Sequence, residues 1–160
     1  MENNSLANYI QQIEENFDGK PWFGTSLWKS LTSIPYQLWN TKSSQVTCSI
    51  AELIVHMIDW RVFIIEKIRG NADFHIELNS VQDWRVGVKV VTKYDKELIL
   101  NELLATQKEL CDLLQDKPES WLANETPGEN YQNDYMIRGI VAHDTYHLGQ
   151  INLIYKQVKY

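Results

Sequence analysis

Three histidines stand where apolar side chains are due. In the segment 136–158, Met136, Ile140, Ile151, Ile154 and Val158 recur at helical intervals, and His143 and His147 occupy the two missing places of that series. In the segment 50–69 the stripe reads Leu53, His56, Trp60, Phe63. Intervals of three and four put side chains on one face of an α-helix, the face that packs against the rest of a fold. His143 and His147 thus share one buried face, and His56 lies on the buried face of another helix. A neutral imidazole in a core needs hydrogen-bonding partners, and a shared metal ion supplies them. Three protein ligands leave a coordination position open, the pattern of catalytic sites. The competing reading is a bundle whose histidines bond to each other and to buried water.

The rest of the chain reads as helices joined by irregular connections. Leu6, Ile10, Ile13 and Phe17 predict a first helix over about 5–17, stopped by Gly19-Lys20-Pro21. A short helical piece is expected between Gly24 and Pro35, then a polar loop from Asn40 to Gln45. Ser49 and Glu52 form a capping-box pattern that opens the His56 helix, and Gly70 ends it. Residues 71–91 read as an extended linker, because their VGVKVV run has no partner strand. Leu100, Leu103, Leu104, Leu110, Cys111 and Leu114 predict a helix over about 93–115, with Gln107 inside the stripe, either in a polar chamber or at a wet edge. Asn133 or Asp134 caps the last helix, which reaches about Gln157. Four long amphipathic segments without a strand pair predict an all-α fold, a four-helix bundle in a single domain over 1–160. Long connections after its first and second helices suggest at least one crossover.

The composition narrows the function. Fifteen basic against 21 acidic residues give a net charge of −6, and no basic run exists. That speaks against a nucleic-acid surface and against an anionic membrane. No run of about 18 apolar residues is present, so no membrane span is expected. The N-terminus lacks the charged-then-apolar pattern of a signal peptide. Cys48 and Cys111 read as two reduced thiols in the cytoplasm.

Other metal schemes fit less well. Di-iron bundles need a glutamate three residues before a histidine, and here Glu52 precedes His56 by four. His143-Asp-Thr-Tyr-His147 puts Asp144 where the metalloprotease motif has glutamate, and no histidine or carboxylate follows His147 as a third ligand. Asp59 lies near the histidine face and is a candidate base or imidazole-orienting group; it also reads as a salt-bridged surface carboxylate. Tyr146 is a candidate for bonding a ligand at the open position, and bundle packing is its plainer role. Gln150 reads as a supporting amide, His75 as a solvated loop residue. Trp22 and Trp60 are candidates for a pocket wall, in a first half that also holds Trp28 and Trp39.

Three blocks, PWFGTSLWKSL, SIAELIVHMIDWRVFIIEKIRG and VAHDTYHLGQINLI, resemble the DinB-like family in the same order. The resemblance implies an up-down-down-up four-helix bundle, a homodimer, and a divalent metal held by His56, His143 and His147. Zinc or nickel comes first among the candidates, with manganese and iron also accepting imidazole. Characterised members of such a family are thiol-dependent enzymes, including bacillithiol and mycothiol S-transferases and a mycothiol-dependent maleylpyruvate isomerase. The expectation is therefore a cytoplasmic enzyme joining a low-molecular-weight thiol to a small-molecule substrate. A metal-dependent hydrolase and a non-catalytic small-ligand-binding bundle are the alternatives.

Overall fold

Apolar periodicity turns into packed helices wherever the sequence carries it. The computed structural model describes residues 4–42 and 47–158. Among these it is all-helical, with five α-helices and no strand: α1 (Ser5–Asp18), α2 (Leu27–Ser33), α3 (Ile50–Ile68), α4 (Lys93–Gln115) and α5 (Asn133–Val158). Single 3₁₀ turns at Tyr36–Leu38 and Glu119–Ala123 punctuate the connections. The short helix α2 lies inside the expected piece between Gly24 and Pro35. Half of the polar loop expected at 40–45, residues 43–45, lies outside the described residues.

The long helices are fastened at their ends as well as along their faces. Ser49 and Glu52 close the expected capping box on α3, with Ser49 N donating to Glu52 Oε2 at 2.7 Å. Thr92 and Asp95 build a second box on α4. The first amides of α1 donate to Glu119 from far along the chain, Ser5 N at 2.8 Å and Leu6 N at 2.9 Å. A carboxylate there also meets the positive end of the helix dipole.

Helix α3 packs against α4 and α5, and α1 packs against the same two. One apolar cluster centres on Leu31, Trp39, Ile54, Met57 and Leu103. A second gathers Ile13, Ile65, Leu110, Ile137 and Ile140. Between the clusters α3 carries His56, Asp59 and Arg61, all buried. The helix that holds the site is thus anchored by apolar packing on both sides of it.

The connection 71–91, expected from sequence as an extended linker, packs back onto the helices. It contains no strand, but Asp83 and Val90 are buried and the segment folds back on α3. Asn40 ties it down by accepting from Val90 N at 2.9 Å and donating to Val90 O at 2.7 Å. At its start, the buried Lys67 donates to Ala72 O at 3.3 Å and pairs with Glu129 at 3.2 Å. Gly128 completes this junction. Its φ is +74°, and a Cβ there would lie 2.2 Å from Ala72 O, so no other residue fits.

Candidate metal centre

His56 is delivered by α3, and His143 and His147 by consecutive turns of α5. Their ligand nitrogens lie within 4.8 Å of one another. The Nε2 atoms face each other, 3.0 Å apart for His56 and His143 and 3.1 Å for His143 and His147. Nitrogens bound to one ion at about 2.0–2.1 Å, at angles near 90–110°, stand about 2.9–3.4 Å apart. The spacing fits a shared ion.

The outer nitrogens decide which way the lone pairs point. His56 Nδ1 lies 2.8 Å from the Asp83 carbonyl oxygen, which only accepts, so this nitrogen carries the proton. His147 Nδ1 donates to Gln150 Oε1 at 2.6 Å, and Gln150 Nε2 in turn donates to the Tyr146 hydroxyl at 3.0 Å. His143 Nδ1 and Asp144 Oδ1 are both buried without a hydrogen bond, and they face each other at 3.6 Å. His56 and His147 therefore each turn an N–H outward to an acceptor and a bare Nε2 inward. The bare Nε2 atoms of His56 and His147 both aim at His143 Nε2, a cluster that a cation at its centre would stabilise. Outward acceptors of this kind hold metal-binding histidines in one tautomer.

The electrostatics favour the neutral, ligating form. Burial lowers the His56 pKa, against the Asp83 backbone bond that raises it. Burial, with His143 beside it, pushes His147 down to about 4.

The supporting residues come from places that periodicity does not reach. Trp84 stacks on the His56 ring, with centroids 3.9 Å apart and planes within 5°. Asp83 is held by Trp60 Nε1 at 2.9 Å and by the Asn79 amide at 2.8 Å. Asn79 takes a positive φ of 62° to make that bond, a conformation asparagine tolerates better than most residues. Behind His143, the Asp144 Oδ2 accepts from Arg61 Nη2 at 2.6 Å and Nε at 2.9 Å. Arg61 Nη1 donates to Gln107 Oε1 at 2.7 Å, so Gln107 does face a polar chamber. Burial pushes the Asp144 carboxyl up, but Arg61 and His143 outweigh it and hold the group below the usual carboxylate range.

The other sequence candidates divide. Trp60 lines a cleft of about 320 Å³ that ends at His143. Trp22 is fully exposed, in the loop before α2 begins. Asp59 is no free base. Its carboxylate is gripped by Arg85, with Arg85 Nε 3.0 Å from both oxygens. Burial still raises its pKa, with Arg85 opposing. Tyr146 is exposed, its ring edge-on to His147 at 5.0 Å. His75 is mostly exposed, 3.5 Å from Glu129. Asp83, Trp84 and Arg61 were missed by the sequence reading. Arg61 and Asp144 had a signal: two charged residues on faces that also carry core residues must meet each other. Asp83-Trp84 in a loop had none.

Fold and site together define the class: an all-helical protein with three histidines grouped as they would be to hold one metal ion. The chain belongs to the DinB family, whose family model matches residues 4–158. No curated protein and no solved structure matches it.

Proposed function

We propose that this chain is a divalent-metal-dependent thiol S-transferase working as a cytoplasmic homodimer with an up-down-down-up helical bundle. The observation that carries the reading is the convergence of three Nε2 atoms, two of them on imidazoles whose Nδ1 partners are fixed. His56, His143 and His147 would hold the ion. Zinc or nickel suits an all-nitrogen donor set first, with manganese and iron accepting the same ligands. Bound there, a divalent cation lowers the pKa of a thiol and so supplies a thiolate at neutral pH. The net reaction joins that sulfur to an electrophilic carbon, expels the leaving group with its electron pair and releases the thiol proton.

The protein's own groups do the holding. Asp83 and Gln150 keep the His56 and His147 rings turned inward, Asp144 faces the outer nitrogen of His143, and Trp84 covers one face of His56. Trp60 and the cleft beside His143 present the second substrate and exclude water. The hydrolytic alternative calls on Asp59 or Asp144 as a base, and arginines engage both. Assays should pair small thiols with chloroarene and epoxide electrophiles, and run esters and amides without thiol. Thiol-dependent turnover that disappears in His147→Ala is the expected result. Turnover that needs no thiol would instead favour hydrolysis, and a small molecule tightly retained without turnover would favour a binding module.

A further inference from the structure

We infer that the cleft beside His143 receives an uncharged, apolar and aromatic part of the substrate, and that Gly139 is the residue that sets how large this part can be. This rests on the metal-centre reading above, and names the substrate class of the same site.

The row Tyr135, Gly139, His143, His147 runs along α5 at intervals of four, so these residues stand one above the other on one helix face. Its C-terminal half is the pair of metal-ligand candidates. Its N-terminal half, Tyr135 and Gly139, lines the cleft together with His143. Position 139 is therefore the turn next to His143, on the side where the cleft opens. Glycine is the weakest helix former short of proline, and its presence in mid-helix asks for a reason. Packing does not provide one: a Cβ at 139 would meet nothing within 4 Å. What glycine leaves at this point is space.

The walls around that space carry no charge. Phe63, Ile64, Met136 and Ile140 are apolar, and Leu78 stands at the exposed rim. The Trp60 N–H is already spent on Asp83, so its indole offers the cleft only carbon and π surface. Tyr131 and Tyr135 pack ring to ring at 5.2 Å. Burial pushes the Tyr131 phenol up to about 12, which keeps it neutral. A charged substituent would lose its hydration here without a partner. An aromatic ring would find edge and face contacts with four aromatic side chains.

The test uses N-phenyl-1-naphthylamine, a neutral aromatic dye that fluoresces in apolar sites. It is titrated into the protein as purified and after chelator treatment, alongside Gly139→Ala, Gly139→Leu and Gly139→Phe. Gly149→Phe is the control, since Gly149 has the same open surroundings on the same helix but lies outside the cleft lining. Wild type, Gly139→Ala and Gly149→Phe should bind alike. Gly139→Leu should weaken binding by about tenfold and Gly139→Phe by more. The sulfonated analogue 8-anilinonaphthalene-1-sulfonate, with the same rings and one charge, should bind chelator-treated protein at least about tenfold more weakly than the neutral dye. Circular dichroism checks the helices; leucine is a good helix former, so Gly139→Leu keeps the test open if the phenylalanine variant misfolds. Unchanged dye affinity in folded Gly139→Leu or Gly139→Phe, or equal affinity for the sulfonate, would overturn the inference. Elemental analysis of the same samples keeps the two readings apart. Metal retained with no effect at 139 sinks the cleft alone; the expected 139 series in a protein that takes up no metal sinks the metal centre alone.

Discussion

Replacing Asp144 by asparagine should damage stability and metal binding through two different atoms. Arg61 is only 1% exposed and gives two of its hydrogen bonds to Asp144 Oδ2. Removing the partner of a buried charge outright costs about 3–5 kcal/mol. Asparagine keeps one acceptor oxygen for Arg61, which reduces the loss to about 2–3 kcal/mol. For a domain of this size that is a fall in Tm of roughly 5–10 °C. The second atom is Oδ1, which faces His143 Nδ1 at 3.6 Å. An NH2 group in its place sets donor against donor. A His143 that holds a metal through Nε2 must then point its Nδ1 proton at a donor, or the amide must flip and aim its NH2 at Arg61. Loss of such an outer partner weakens metal binding by about 10–100-fold. Urea unfolding of chelator-treated protein reads the first effect, and competition with a chromogenic chelator reads the second. The double variant Arg61→Met with Asp144→Leu separates them, because an apolar pair of similar volume restores stability while leaving His143 unsupported. A folded Asp144→Asn protein within about 0.5 kcal/mol of wild type and with full metal affinity would refute the argument.

Three further outcomes follow from the same geometry. His56 and His147 have folded-state pKa values pushed down by burial, His147 to about 4, so the unfolded chain takes up protons first as pH falls. Metal-free stability should be full above about pH 6.5 and decline between there and pH 4, by roughly 1–2 kcal/mol after solvent screening, and His147→Gln should flatten the profile in urea melts. Cys111 is buried, which raises its thiol pKa to about 11, so thiol reagents should label Cys48 alone in the native protein and both residues in denaturant; two labels on native protein would contradict the packing of α4. Trp84 lies flat on a ligand ring, so metal titration should change tryptophan fluorescence mainly through it, and Trp84→Phe should remove most of that change while Trp22→Phe, at an exposed position, leaves it intact.

Helices were legible because burial imposes period. The α3 capping box, the extents of α4 and α5 and the shared face of His143 and His147 all follow from local rules that the fold does not override. The three histidines were legible for a related reason, since polar groups on apolar faces must find each other. What could not be read were the partners that fix them. Asp83 and Trp84 reach His56 only because the 71–91 connection folds back, and no periodic signal encodes that return. Asp59 looked like a base because its partner Arg85 belongs to the same connection. Trp22 looked like a wall because tryptophan is usually buried, whereas this one, in the loop before α2, stands in solvent. Gly139 carried its meaning only once the space beside it was visible.

The central claim is that one ion joins α3 to α5. Elemental mass spectrometry of untagged protein, beside His56→Ala, His143→Ala and His147→Ala, tests it directly. About one equivalent of a divalent metal per chain in the wild type, lost in each variant while the helical circular dichroism persists, is the predicted result. A wild-type chain that takes up no zinc, nickel, manganese or iron, or metal retained in full by His56→Ala, would contradict it.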